Sequence, residues 1–198
     1  PWRDINTMTI SYGHGIAVSP LQLAESVATV VNGGVRRPVT LVRYHGEELP
    51  SGERVLSVET SRRMRSLMRL VVRRGTGAKA EAIGYRVGGK TGTADKLAAG
   101  RYGSKSLISS FVGAFPMDAP RYVVLCLLDE PKGRESTHGY ATGGWVAAPV
   151  VRRLIQRLAP LAGIAPARSK EMQAPGAPHF VPASGKPAEV RVRRVVAN

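Results

Sequence analysis

The chain has 198 residues, of which 43% are hydrophobic and 22% charged, and its net charge is +15. This length suits one domain or part of a larger one, and no apolar run reaches the roughly 18 residues that would cross a bilayer. Aromatic residues make up only 6% and are not interleaved with the arginines, which argues against a nucleic-acid surface and favours a solvated basic surface.

Helical signals begin at Ser19. This serine is a good N-cap, Pro20 suits the first helical position, and Gln22 completes a capping box. The helix is predicted to end at Gly34. Residues 39–56 are then predicted to form two short strands around the turn-forming segment HGEELPSGE.

A second helix is predicted from Ser57 to Arg74, where apolar and basic side chains recur at helical spacing. The apolar set is interpreted as the buried stripe and comprises Met64, Leu67, Met68, Val71 and Val72. The basic set is interpreted as a solvated face and comprises Arg62, Arg65, Arg69 and Arg73.

Beyond Gly77 the pattern changes from helix to strand. Strands are predicted in YRVGGKTGTA, SLISSFVGAFP and RYVVLCLLDEP, and the turn PMDAPR is short enough to make the last two an antiparallel hairpin. The single cysteine, Cys126, excludes an intrachain disulfide and a cysteine zinc cluster and is interpreted as a core residue. A final helix is predicted from Trp145 to Leu158, with Pro149 in its first turn or kinking it. Its inward side chains are predicted to be Val150, Val151, Leu154 and Leu158.

The last part of the chain differs in composition from the rest. From Ala165 onward it is rich in proline and in basic residues and has no apolar periodicity, which favours disorder. We therefore expect a packed unit over residues 1–164 and a disordered tail over residues 165–198.

The segment GYRVGGKTGTA begins at Gly84 and matches two chemical patterns at once. Its GYRVGGKT part fits the phosphate-binding pattern G-x-x-x-x-G-K-[ST] of nucleotide-hydrolysing proteins. Its KTG part fits the K-T-G element of penicillin-binding proteins and serine β-lactamases. A phosphate loop needs an apolar strand before it and a helix N-terminus after it. The preceding AKAEAI is not such a strand, and the following TGTADKLAAGRYGSK has no apolar helical stripe.

The residues of KTGT suit a strand beside a carboxylate-binding cleft. Thr91 and Thr93 are β-branched and favour extended structure. Lys90 and the threonines project alternately, which offers an ammonium and hydroxyls to a carboxylate. Gly92 lacks a Cβ, so a substrate backbone could lie against the strand edge as an added strand.

The order of motifs closely resembles that of the class B penicillin-binding proteins. TISYGHGIAVSPLQL, a long helix ending in GTG, VGGKTGTADK, SSFVGAFP and YVVLCLLDEPKG follow one another without large gaps over about residues 4–162. The resemblance is closest to the division-specific (septal) D,D-transpeptidases of Gram-negative bacteria. It implies an α+β fold, the carboxyl-terminal half of the penicillin-binding transpeptidase (serine β-lactamase-like) domain, with an antiparallel sheet packed between helices.

Two elements of that family pattern are absent from the chain. The family carries its nucleophile and general base in S-x-x-K, and a relay serine and an asparagine in S-x-N. No serine here has Lys three positions later or Asn two positions later. Because these elements precede KTG in the family, we expect a fragment that is inactive alone, with the nucleophile, the base and a membrane anchor upstream of Pro1.

The resemblance implies an enzyme that cross-links peptidoglycan through a serine acyl-enzyme. Lys90 would supply positive charge to the terminal carboxylate of a D-Ala-D-Ala stem peptide and orient the relay serine, while Thr91 packs or bonds on the far side of the strand. Gly92 would admit the substrate backbone. Thr93 would bond the carboxylate and give its N–H to the oxyanion hole. Tyr102 would either form a substrate wall or anchor its loop.

The resemblance also implies partners and a location. β-Lactams would acylate the same site, and divisome membrane proteins would be partners at the periplasmic face of the inner membrane. No metal, cofactor or nucleic acid is implied. Two alternatives stay open: a non-catalytic peptidoglycan-binding or regulatory module, favoured if the gene lacks S-x-x-K, and a P-loop NTPase.

The remaining polar residues are interpreted as structural. Tyr12 and His14 are predicted to form a turn rather than to line the cleft, and His138 to be solvated in a glycine-rich loop. Asp129 and Glu130 are predicted to end a strand rather than to catalyse.

Overall fold

The chain folds into helices around antiparallel sheets in a computed structural model that describes residues 2–13, 15–42, 51–96 and 106–167. The helices are α1 (Asp4–Ile10), α2 (Pro20–Val31), α3 (Val58–Arg74), α4 (Gly143–Val146) and α5 (Ala148–Leu161). The strands are β1 (Val35–Arg36), β2 (Glu53–Arg54), β3 (Gly88–Asp95), β4 (Leu107–Phe115) and β5 (Tyr122–Asp129). Short 3₁₀ turns lie at Ala78–Ala80 and Glu135–Thr137. Among the described helices, none is both long and apolar enough to cross a membrane.

Helix α2 begins at the predicted capping box. The Ser19 Oγ accepts a hydrogen bond from the Gln22 N–H at 3.2 Å, and the Gln22 Oε1 accepts one from the Ser19 N–H at 2.9 Å. These bonds satisfy N–H groups that have no partner inside the helix. The predicted start of this helix is therefore confirmed.

The pair β1–β2 corrects the prediction of two strands within residues 39–56. Val35 pairs with Arg54 and Arg36 with Glu53, so the first strand follows α2 almost directly. Gly34, at φ +88°, turns the chain there, and its carbonyl accepts hydrogen bonds from the N–H groups of residues 55 and 56. Residues 39–42 are in no strand, and residues 43–50 lie outside the described ranges.

The larger sheet has the order β3–β4–β5 and is antiparallel throughout. Phe111 and Phe115 are fully buried on the face that packs against α5, and Cys126 packs half-buried beside them. Burial raises the pKa of the Cys126 thiol. Ala114 and Met117 pack against α2 and α3 on the other side. An antiparallel sheet between helices confirms the predicted α+β fold and the β4–β5 hairpin.

Helix α3 has the predicted span but not the predicted faces. Met68 and Val72 are buried at 7% and 1% exposure, whereas Met64 and Leu67 are 37% and 42% exposed. Arg69 was assigned to the solvated face, and this is wrong because the residue is only 6% exposed. It follows Met68 and precedes Val72 by three positions, which places it at the edge of the buried face.

The guanidinium of Arg69 has partners for its buried charge. Its Nη1 donates to Glu81 Oε2 and, at 2.7 Å, to the Val87 carbonyl, and its Nη2 donates to Glu81 Oε1 at 2.8 Å. A buried charge is stable only when it is paired and hydrogen-bonded in this way. Since Val87 directly precedes β3, the hydrogen bond from Arg69 to its carbonyl ties the start of β3 to α3.

Helix α5 buries a narrower stripe than predicted. Val151, Ile155 and Ala159 are fully buried and lie four residues apart on one ridge of the helix. The prediction of an inward Leu154 is wrong, because it is 45% exposed. Leu154 directly precedes Ile155, and successive helical residues are roughly 100° apart around the helix axis. Its side chain therefore points away from the buried ridge. Pro149 lies in the first turn, as predicted. The other two predicted inward residues, Val150 and Leu158, are half-buried.

The first residues of the predicted tail contact Gly84. The Ala167 N–H donates to the Gly84 carbonyl at 2.7 Å. Gly84 has φ +83°, and a Cβ there would lie 2.7 Å from the Pro166 Cβ, so we expect its replacement to be strained. Residues 168–198 lie outside the described ranges, and a boundary near residue 164 stays a prediction.

Candidate active site

The segment KTGT lies in the middle of β3. Lys90 is opposite Val112 and Thr93 is opposite Ser109 on β4. Within the described ranges, β3 pairs with β4 along one edge and with no strand along the other. Gly89 and Lys90 are strand residues, not a loop that leads into a helix, as phosphate binding would require. The phosphate-loop interpretation is therefore wrong, and β3 presents an open edge.

The backbone groups at this edge belong to Thr91 and Thr93. Just past the strand, the Lys96 N–H donates to the Ser106 carbonyl at 2.8 Å and continues the β3–β4 ladder. Hydrogen-bonded pairs alternate along an antiparallel ladder. The N–H and C=O groups of the even-numbered residues therefore face β4, and those of Thr91 and Thr93 face away from it. An extended peptide can pair with these two residues as an added strand.

The Lys90 ammonium lies over the same edge. Its Nζ donates to the Thr91 carbonyl oxygen at 2.7 Å, and the side chain is exposed. An ammonium has three N–H donors. One is engaged here, so others remain for an anion at the open edge.

The two threonine hydroxyls have different partners. The Thr91 Oγ1 lies 2.9 Å from the Thr76 Oγ1, and the Thr93 Oγ1 accepts a hydrogen bond from the Gly143 N–H at 3.1 Å. Because Thr93 is the acceptor in this bond, its own O–H can still donate to an anion. Side chains alternate along a strand, so both hydroxyls project from the face opposite to Lys90.

Gly92 makes room for a side chain of β4. It pairs with Ser110, and a Cβ at position 92 would lie 2.5 Å from the Ser110 Oγ. Real Cβ atoms essentially never come so close to a heavy atom. A side chain at position 92 would therefore have to displace the Ser110 hydroxyl, so the glycine gives room to the sheet in addition to the room for substrate that the sequence suggested.

Helix α4 packs closely against its neighbours through two glycines that sequence reasoning missed. A Cβ on Gly143 would lie 2.1 Å from the Ser110 carbonyl oxygen, and one on Gly144 would lie 2.4 Å from the Thr76 carbonyl oxygen. Only glycine allows such an approach, and it brings the Gly143 N–H to Thr93. The Gly-Gly pair in ATGGW was the available signal, since paired glycines often mark close backbone contact.

Lys96 joins the ends of β3 and β5. Its Nζ lies 2.9 Å from an Asp129 carboxylate oxygen and 3.0 Å from a Glu130 carboxylate oxygen. These hydrogen bonds, that of Asp129 first, raise the pKa of Lys96 above its ordinary value of 10.5. The acidic pair ends β5, as predicted, and neutralises a lysine. In the described part of the chain, no group of three His, Cys, Asp or Glu side chains is placed to hold a metal ion.

Four further residues were singled out in the sequence. Tyr102 and His14 lie outside the described residues. Tyr12 is 73% exposed. His138 is exposed at φ +49°, and its ring centroid lies 5.4 Å from that of Trp145 in an edge-on contact. The predicted substrate wall at Tyr102 stays a prediction.

Comparison with known proteins identifies the family. Residues 1–156 match the model for the penicillin binding protein transpeptidase domain. The chain belongs to this transpeptidase family. Its open strand edge is thus part of a penicillin-binding transpeptidase domain.

Curated relatives of this transpeptidase chain are much longer than the chain itself. A probable peptidoglycan D,D-transpeptidase FtsI of Caulobacter vibrioides is 45% identical over 172 residues, which are 82% of this chain and 29% of that protein. Stage V sporulation protein D of Bacillus subtilis is 36% identical over 84% of this chain and 26% of its own length. The chain therefore spans less than a third of these relatives.

Solved structures share the fold. The transpeptidase domain of penicillin-binding protein 3 from Burkholderia pseudomallei has a TM-score of 0.75 and 38% identity, over 84% of this chain and 49% of that one. Penicillin-binding protein 3 of Mycobacterium tuberculosis, complexed with ampicillin, has a TM-score of 0.71 and 27% identity, over 85% of this chain and 40% of that one.

Proposed function

We propose that this transpeptidase chain provides the substrate-binding strand of a peptidoglycan D,D-transpeptidase that cross-links stem peptides at the division septum. The open edge of β3 carries the proposal, because the Lys90 ammonium, the Thr93 N–H and the Thr93 O–H are available there together. The similarity to a relative named as a D,D-transpeptidase supports the same reaction.

The substrate would bind as an added strand. The backbone of a D-Ala-D-Ala stem peptide pairs with Thr91 and Thr93 at the open edge. Its terminal carboxylate lies at the strand edge, where it accepts hydrogen bonds from the Lys90 ammonium, which reaches over from one face, and from the Thr93 O–H, which projects from the other. We propose that Tyr102, in the segment after β3, forms one wall of the substrate-binding site.

The reaction is an acyl transfer whose nucleophile lies outside these 198 residues. A serine Oγ attacks the carbonyl carbon of the penultimate D-Ala, and the terminal D-Ala leaves as an amine after it takes up a proton. An amine of a neighbouring stem peptide then accepts the acyl group and frees the serine. The Thr93 N–H and the N–H of the nucleophile bind the oxyanion, and each such donor is typically worth about 3 kcal/mol. β-Lactams acylate the same serine.

The cellular setting follows from this reaction. Cross-linking takes place at the periplasmic face of the inner membrane, where we place the whole protein, anchored by a segment absent from this chain. Divisome membrane proteins would be its partners there.

A second candidate function is a non-catalytic peptidoglycan-binding or regulatory module. One observation favours it: no serine in this chain has a lysine three positions later. Such a module would use the same open edge to hold a stem peptide and would make no covalent bond.

Labelling with a fluorescent penicillin separates the two candidates. We expect a covalent adduct on the whole protein that contains this chain, blocked by prior unlabelled penicillin, and no adduct on the 198-residue chain, because the nucleophile is absent. Denaturing electrophoresis with fluorescence detection measures both. A stoichiometric adduct on the 198-residue chain would refute the placement of the nucleophile, and no adduct on the whole protein would favour the non-catalytic module.

A double substitution tests whether Gly92 serves the substrate or only the sheet. In the whole protein, Gly92→Ala is expected to slow penicillin acylation about tenfold, because the added methyl group takes up room that the substrate backbone needs at the strand, and about 1.4 kcal/mol in the barrier is a factor of ten in rate. Adding Ser110→Ala removes the hydroxyl that the new Cβ would meet. We expect the double variant to regain thermal stability but to remain slow in stopped-flow acylation. Full recovery of the acylation rate would show that Gly92 serves only Ser110.

A further inference from the structure

A basic cleft lies between the end of β5 with the segment that follows it, α4 and the first two turns of α5. It is an open depression of about 540 Å³, and four exposed cationic side chains line it: Lys79, Lys132, Arg134 and Arg153. Trp145 and Ser136 also line it, and among the described residues no acidic side chain does. The cleft therefore concentrates positive charge in one concave surface.

The four cations are not neutralised by ion pairs within the described ranges. Ion pairs there engage other cations: Arg36, Arg62, Arg63, Arg69 and Lys96. Lys79 instead lies over the Trp145 ring, with its Nζ 4.0 Å from the ring centroid. Like charges that share a cleft repel one another, and a bound anion relieves this repulsion.

The cleft lies away from the open edge of β3. Leu128 lines the cleft and pairs with Ser109 of β4, which in turn pairs with Thr93. Strands are about 4.8 Å apart, so Leu128 is roughly 10 Å from Thr93 on the same sheet face. A ligand in the cleft is thus separate from a peptide paired along β3.

We propose that the basic cleft binds a ligand with a multivalent oxyanion, either a phosphate group or clustered carboxylates. Two guanidinium groups offer paired donors that match such oxygens, and two ammonium groups add charge. The Ser136 hydroxyl is a further donor. This site is additional to the proposed transpeptidase reaction and does not depend on it.

Trp145 serves as the reporter for the test. Trp2→Phe leaves it as the chain's single tryptophan. An anion that pairs with Lys79 changes the charge over the indole ring, so Trp145 fluorescence should respond. We expect a saturable change on titration of the full 198-residue chain with pyrophosphate, citrate or both, at constant ionic strength. Saturation by pyrophosphate alone assigns phosphate chemistry, and saturation by citrate alone assigns carboxylates.

Matched removals of two positive charges decide whether the cleft is the site. Lys132→Ala with Arg153→Ala is expected to weaken binding at least tenfold. Arg152→Ala with Arg157→Ala removes the same charge from exposed positions that do not line the cleft and is expected to change binding less than twofold. No saturable response to either anion, or equal weakening in both double variants, would overturn the proposal. Unfolding midpoints of all variants are compared to exclude loss of fold.

Discussion

Lys90→Ala in the whole protein is expected to slow acylation by penicillin and by a D-Ala-D-Ala substrate at least tenfold, and up to about a hundredfold. Charge-assisted hydrogen bonds contribute about 1.5–3 kcal/mol, and each 1.36 kcal/mol is about a factor of ten in rate. The side chain is exposed, and within the described part of the chain it bonds only to the Thr91 carbonyl. The loss should therefore fall on acylation rather than on folding.

The control for this substitution is Arg62→Ala. Arg62 is also an exposed cation, it bonds to Glu59 on α3, and it lies away from the strand edge. We expect its acylation rate to stay within twofold of wild type. If Lys90→Ala is acylated at the wild-type rate, Lys90 does not bind the carboxylate.

Arg69→Ala is expected to lower the free energy of unfolding by about 3 kcal/mol. Removing one partner of a buried ion pair costs about 3–5 kcal/mol, because the other charge is left without a partner. The lower end applies here, since the Glu81 side chain is 33% exposed and can regain water. The Val87 carbonyl at the start of β3 also loses its donor. Urea unfolding of the 198-residue chain measures the change.

Arg62→Ala again provides the comparison, because it removes an arginine from the same helix at an exposed position. Surface substitutions of this kind usually change stability by less than about 0.5 kcal/mol. Equal effects of the two substitutions would mean that the contacts of Arg69 do not stabilise the fold.

Structural features that depend on residues close together in the sequence were predictable. Ser19 and Gln22 are three residues apart and cap α2 as the pattern requires. The β-branched Thr91 and Thr93 indicated a strand rather than a phosphate loop, and the strand is observed. In each case the signal and its partner lie within a few residues, so propensity and capping suffice.

Features set by contacts between distant segments were not predictable. Arg69 looked like one of a series of surface arginines until the fold brought Glu81 and Val87 to it. The bond from Gly143 to Thr93 joins residues fifty positions apart. The open edge of β3 likewise depends on which strands pair, which no pattern within a single strand specifies.

A structure of the whole protein acylated by a penicillin would test the role of the β3 edge. We predict that the penicillin carboxylate lies within hydrogen-bond distance, about 2.5–3.2 Å, of the Lys90 Nζ or the Thr93 Oγ1. The acyl carbonyl oxygen should accept the Thr93 N–H at a similar distance. An acyl-enzyme whose carboxylate is held by other residues, with the edge of β3 unoccupied, would contradict the proposed function of this strand.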